Sequence, residues 1–351
     1  MYSFISKFSF LLSFFSLFFY FSSSGTFQLG FTFFLFLFAL CYKHFLNLNT
    51  NFLIFLSIFF FWAIFINLIS AFNYENLEFL TYIYQLIFGA IIFISVSGFI
   101  ARFQDSDAIP HLVLSLCFAL FLLYVFDFGR YYHPPRYNGF LNDPNQYGFA
   151  CLCLCIIGNI VLKRKVNIYI LDTICVLLII VTYSRSSLLG MFIFILLKYR
   201  FTVRTYFFML AAGILLFLFI NQNYNIFLRL ATSDFLVELF ERGIQHIINF
   251  PESIILGAGK GLETRFFSST EIHMTPIAAL FYFGVVGFFT YHLFLFSLVS
   301  KQSKLMIAAV AAIYLYGLTT FNLRTPIFWV TLAFLYSSNF YISTNSFQKE
   351  S

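Results

Sequence analysis

Residues 130–148 read Arg130-Tyr-Tyr-His133-Pro-Pro-Arg136-Tyr-Asn-Gly139-Phe-Leu-Asn142-Asp143-Pro144-Asn145-Gln146-Tyr147-Gly148. Asp143 ahead of Pro144 is a natural helix start, which leaves Asn145 to cap the helix or to face a ligand. Taken alone, Asn142 and Asp143 describe an ordinary capped loop. Arg130 and Arg136 beside a helix N-terminus describe more, because helix dipole and side-chain charge add at one place and favour an anion. A second cluster is Tyr183-Ser184-Arg185-Ser186-Ser187, set between two apolar stretches. A third runs through Arg229, Glu238, Glu241, Arg242 and His246 to the turn Gly257-Ala-Gly259-Lys260-Gly261, then Arg265, Glu271 and His273. Glu271 and His273 have the chemistry of a general base, although a single interfacial histidine is as often only hydrogen-bonded. The Gly257-x-Gly259-x-Gly261 spacing is not a dinucleotide-binding fingerprint, lacking the preceding strand. It predicts a flexible backbone over a site.

The elements that must position these residues are helices in a bilayer. Of 351 residues 61% are apolar and 10% charged, far outside the ~45–50% and ~25% of soluble domains. The apolar residues form runs of roughly 14–26, the pattern of repeated crossings. The 57 phenylalanines are spread over every run and reflect composition rather than a binding feature. Cys41, Cys117, Cys151, Cys153, Cys155 and Cys175 all lie inside apolar runs without a C-x-x-C spacing, so they read as core-filling residues. The net charge of +6 comes from singly scattered basic residues and does not indicate nucleic acid.

Spans are predicted near 8–22, 27–42, 52–71, 78–99, 108–127, 145–162, 167–182, 186–198, 205–221, 274–299, 304–321 and 326–342. The fold class expected is therefore an all-α polytopic integral membrane protein of about 12 transmembrane helices. Residues 1–221 hold the first nine spans, with motif loops near 128–145 and 183–187. A large periplasmic loop covers 222–273, and 274–351 holds the last three spans and a short cytoplasmic tail. With this count Lys7, Lys43, Arg102, Lys163, Arg164, Lys165, Lys198, Arg200, Arg204, Lys301, Lys304 and Lys349 share one side, which the positive-inside rule makes cytoplasmic. Arg130, Arg136, Arg185, Arg229, Arg242, Lys260, Arg265 and Arg324 share the other. The outer set is almost all arginine, whose planar fork grips phosphate or carboxylate as lysine cannot. The two spans flanking Arg185 are short, roughly 20–24 Å against a hydrocarbon core of ~30 Å. Their turn should dip into low dielectric, where an arginine normally marks function. Were 167–198 a single helix, every downstream side would invert.

Three features then follow in order: Arg136-x-Asn138-Gly139-Phe140-x-x-Asp143-Pro144-Asn145; Tyr183-Ser184-Arg185-Ser186; and Leu256-Gly-Ala-Gly259 leading to Glu271-Ile-His273 and Gly284-Val-Val-Gly287. This order resembles the O-antigen polymerase and O-antigen ligase superfamily over about residues 130–290. That family carries a Gly-x-x-x-x-Pro-Asn loop, a Ser-Arg turn and a Gly-x-Gly…His segment. One position departs: the family often carries His-Asn, whereas Met274 follows His273 here, which weakens His273 as the base. The resemblance implies a glycosyltransferase of the bacterial inner membrane with its active site facing the periplasm. It would transfer a growing glycan from undecaprenyl diphosphate onto a new lipid-linked repeat unit. It would need no cofactor and no metal. Its partners would be the polyprenyl-diphosphate-linked oligosaccharide and the lipid bilayer, with a chain-length regulator as an optional further partner. Arg136, Arg130 and Arg265 would hold the diphosphate. Arg185 with Glu271 or His273 would do the chemistry, supported by Asn145, Asp143 and Ser184. The alternatives are a ligase acting on lipid A–core and, in a different class, a lipid-linked oligosaccharide flippase.

Overall fold

The computed structural model describes residues 2–18, 29–74, 78–103, 106–132, 134–199, 240, 244–260, 272–299 and 303–338. Its elements are helices α1 (Tyr2–Ser16), α2 (Leu29–Cys41), α3 (Thr50–Tyr74), α4 (Glu78–Phe103), α5 (Ala108–Val125), α6 (Pro144–Val161), α7 (Lys165–Thr182) and α8 (Arg185–Lys198), then two short ones, α9 (Gln245–Asn249) and α10 (Ser253–Leu256), and α11 (Thr275–Ser297), α12 (Lys304–Gly317) and α13 (Pro326–Tyr336). One two-stranded ribbon, β1 (Arg130–Tyr131) with β2 (Tyr137–Gly139), interrupts them. Among the described residues six helices are long and apolar enough to cross a membrane, and four shorter apolar ones accompany them. Helices occupy each apolar stretch predicted from the sequence except 205–221, which lies outside the described residues.

The core is built around α6, which packs against α5, α7, α8, α12 and α13. Every α6 residue is buried except Asn145 and Gln146 at its start. A helix apolar all round belongs inside a bundle. Here it is the motif turn that brings the helix out to an accessible edge.

Hydrogen bonds between neighbouring elements define two ends of the bundle. At one, Arg102 Nη1 donates to Leu40 O at 3.3 Å, Leu48 N donates to Tyr336 Oη at 2.7 Å and Asn49 Nδ2 to Ser297 O at 3.0 Å. At the other, Tyr316 Oη donates to Asn145 O at 3.1 Å, and Thr275 Oγ1 donates to Thr320 O at 2.7 Å. The described basic residues divide accordingly. Lys7, Lys43, Arg102, Lys163, Arg164, Lys165, Lys198 and Lys304 fall at or near the first end, and Arg130, Arg136, Arg185, Lys260 and Arg324 at the second.

The division depends on α7 and α8 being separate helices, and they are. Tyr183 takes the left-handed conformation (φ 53°) that ends α7, and Ser184 caps α8 by accepting from Ser187 N at 3.4 Å. Farther along the hairpin a buried network closes the pair. Asp172 Oδ2 meets Lys198 Nζ at 2.5 Å and accepts from Tyr199 Oη at 2.5 Å. Its Oδ1 accepts from Asn159 Nδ2 at 2.7 Å and from Cys155 Sγ at 3.1 Å. All six cysteines are buried and free, with the Cys117 and Cys175 sulfurs 3.8 Å apart between α5 and α7.

Removing one partner of a buried ion pair leaves the other uncompensated, at a cost of about 3–5 kcal/mol. Asp172→Ala should therefore lower the thermal unfolding midpoint of the detergent-solubilised protein strongly. Asp172→Leu combined with Lys198→Met should recover most of the loss. An unchanged midpoint for Asp172→Ala would contradict the network's role.

Candidate functional site

The first motif loop is a tightly packed ribbon. Its register pairs Arg130 with Gly139 and Tyr131 with Tyr137, and Tyr132 N donates to Arg136 O at 2.9 Å. Tyr137 is buried at the centre, donating to Phe128 O at 2.6 Å and meeting Tyr124, Tyr131 and Tyr147 edge-on. Gly139 is required where it stands. Its φ is 57°, and a Cβ there would come within 2.6 Å of the Tyr147 ring. Beyond the ribbon Asp143 caps α6, accepting from Asn145 N at 2.7 Å. The cap is therefore the aspartate, and the Asn145 side chain is free to face inward.

What it faces is Arg136. The guanidinium donates from Nη2 to Asn145 Oδ1 and from Nε to Thr182 O, each at 3.4 Å. One side chain thus joins the start of α6 to the end of α7, and with them the first motif to the second. The contact suits both partners, since a helix C-terminal carbonyl carries partial negative charge. Burial pushes the Arg136 pKa down, Asp143 and Tyr132 act against that, and the nearby Arg185 charge adds to it. A guanidinium stays protonated under such pressure, so two positive charges are held close together.

The second motif divides into a structural and an accessible part. Ser184 is buried; its Oγ lies 3.0 Å from Ser187 Oγ and its N donates to Thr182 Oγ1 at 3.1 Å. Ser184 thus serves as a helix cap rather than a ligand-facing group. Arg185, the first residue of α8, is exposed; the protein does not enclose it. Gly148 lets α6 approach this turn, since a Cβ there would meet Ser187 Oγ at 2.6 Å.

The third wall is the 318–325 loop between α12 and α13, which sequence reasoning did not assign to the site. Thr319 Oγ1 bonds Ser186 Oγ next to Arg185, and Tyr316 bonds the Asn145 carbonyl while stacking on Phe149 with ring centres 4.1 Å apart. Arg324 sits at the end of this loop, half-buried. The only signal in the sequence was its membership of the outer arginine set. Asn322 N donates to Thr275 Oγ1 at 3.0 Å, tying the loop to the start of α11. His273 lies two residues before Thr275 and is half-buried at the same end. Glu271 and Arg265 lie outside the described residues. Arg130 is not in the cluster: it stands exposed on β1, and its side chain bonds none of the cluster's described residues. The ribbon turns it away from Arg136, six residues on.

From Gly257 to Lys260 the glycine turn is packed against the bundle rather than lying over it as a loose cover, and Gly261 lies outside the described residues. Helix α11 breaks at Gly284 (φ 65°, ψ −167°), and the turn fills the break. Ala258 N donates to Phe281 O at 2.8 Å, Gly259 N to Tyr282 O at 2.9 Å, and Trp62 Nε1 to Phe283 O at 2.6 Å. Both backbones must be bare for this approach. A Cβ at Gly257 would lie 2.5 Å from Tyr282 O, and one at Gly284 would lie 2.5 Å from Ile255 O.

Neither a protein-family model nor a curated protein matches the chain.

Two outcomes follow from this geometry. Gly284→Ala forces a side chain into backbone at positive φ and should cost about 1–3 kcal/mol, read as a lowered unfolding midpoint. Arg136→Lys removes the fork that spans two acceptors. Arg136→Lys and Asn145→Ala should each lower the unfolding midpoint of the detergent-solubilised protein, and the two losses should not add; additive losses would contradict the bridging role.

Proposed function

We propose that this protein is a surface-polysaccharide polymerase of the O-antigen type. It would cross the inner membrane about twelve times and work at the periplasmic face. The observation that carries the reading is Arg136 bonded to both the Asp-Pro-Asn turn and the end of the Tyr-Ser-Arg hairpin, with Arg185 beside it. Like charges oppose one another in a partly desolvated place. A dianionic leaving group offsets that repulsion, and preorganised arginines stabilise the charge it develops without a metal. The division of lysine and arginine between the ends of the bundle supports an outward-facing site under the positive-inside rule.

In the proposed reaction the acceptor hydroxyl of an incoming lipid-linked repeat unit attacks the anomeric carbon of the donor glycan. The bond from that carbon to the diphosphate oxygen breaks, and polyprenyl diphosphate leaves with the electron pair. The hydroxyl proton passes to Glu271 or His273. Arg136 and Arg185 hold the departing diphosphate, and Asn145 orients Arg136.

The test is the glycan profile of a cell lacking the gene, complemented with wild type, Arg136→Ala or Arg185→Ala. Deletion should leave lipid A–core bearing one repeat, and each variant, expressed at normal level, should lower the long-chain ladder at least tenfold. Bare core with polymer retained on polyprenyl diphosphate would identify a ligase. An unchanged ladder would discard both and point to a flippase.

A further inference from the structure

A cleft lies between the starts of α6 and α13. Its apolar walls include Leu17, Leu141, Ala150 and Ile327, and its polar side chains are Gln146 and Thr325; among the described residues no charged side chain lines it. Its space, about 270 Å³ even with the open mouth counted, falls below the ~300–1,000 Å³ of pockets that hold whole ligands. It is sized for a substituent. The Thr325 hydroxyl is committed, donating to Asn322 O at 2.6 Å. Gln146 is not: its Oε1 is buried and has no hydrogen-bond partner among the described residues. A buried carbonyl oxygen without a donor costs free energy that a bound N–H recovers. The torsion that turns a glutamine carboxamide is broad and roughly two-fold, so Oε1 can be presented to the cleft.

The lining selects among substituents. An ionised group would be desolvated there without a counter-charge. A hydrocarbon chain would leave Oε1 unpaired. A hydroxyl would supply the donor but would place nothing apolar against the walls. An acylamino group meets both demands, with an N–H for Oε1, a carbonyl for Nε2 and a methyl for Leu17, Ala150 and Ile327. The cleft also adjoins the arginine cluster. Gln146 follows Asn145, which accepts from Arg136, and at 3.6 residues per turn the two side chains stand about 100° apart on α6. Across the cleft Thr325 follows Arg324.

We propose that this cleft recognises the acylamino substituent of a sugar whose diphosphate lies on Arg136, with Gln146 as the residue that sets the specificity. The inference rests on the polymerase reading for the diphosphate alone. The substituent is assigned by the unpaired amide oxygen and the apolar walls. Gln146 binds it through hydrogen bonds, and no covalent bond is made.

The experiment uses the full chain in phosphatidylcholine nanodiscs and two probes, farnesyl diphosphate carrying N-acetylglucosamine and the same lipid carrying glucose. Binding is read by native mass spectrometry. Wild type should bind the acetylated probe at least tenfold more tightly. Gln146→Leu, which keeps the bulk and removes the amide, should bind the two alike. Equal binding of both by wild type leaves the cleft to water and overturns the inference, with the polymerase site still standing. A preference that survives Gln146→Leu overturns it in the same way. Wild type binding neither probe overturns the diphosphate reading as well. If Gln146→Leu does not fold, Ala150→Val decides, because it narrows the cleft from the α6 side. The preference should then fall at least fivefold, and an unchanged preference overturns the inference.

Discussion

A carbonyl oxygen left unpaired in an apolar interior costs several kcal/mol, so irregular backbone survives there only where other groups satisfy it. The arrangement of one end of this protein follows from how the carbonyls freed at Gly284 find donors. Phe281 and Tyr282 are paired with the backbone of the glycine turn and Phe283 with the Trp62 indole. The exchange holds α3, α11 and the turn in one register. It also delivers Lys260 to the rings of Tyr82, Tyr282 and Phe321, and Phe321 carries the constraint to the 318–325 loop. Through Thr319 the same loop reaches the Ser-Arg turn. A break in one helix is thereby linked to the position of an arginine on another.

Charge inside the bundle is handled in two contrasting ways. Near one end Asp172 is surrounded by donors from α6 and from the end of α8, and is balanced by Lys198. Every lone pair has a use, and the network locks a hairpin. At the other end Arg136 and Arg185 are held near each other, Arg136 bonded to neutral acceptors and Arg185 exposed. The first arrangement is complete in itself. The second gathers two guanidinium groups at an accessible edge, which is why we propose the anion site there.

The central helix makes that placement possible. Helix α6 is buried along its whole length except at Asn145 and Gln146. Its capped start is therefore both rigid and reachable, a combination a surface helix does not offer. Tyr137 in the ribbon and Tyr316 on α12 brace it from two sides, one through a cage of rings and the other through the Asn145 carbonyl.

Much of this was legible in the chain itself. Apolar runs long enough for a bilayer, polar breaks between them and the separation of lysine from arginine are local properties, written in composition and spacing. So is the Asp143-Pro144 helix start, because a cap acts within one turn. What lay beyond reach was whatever depends on groups far apart in sequence. Arg136 and Arg185 flank a common turn only because α7 and α8 form a hairpin against α6. Arg130, six residues from Arg136, is left out because a ribbon turns it away. Gly257 and Gly259 read as flexibility, and Gly284 carried no structural reading at all. They prove to be points of contact, because the need for a bare Cα arises only when another backbone arrives to occupy the space.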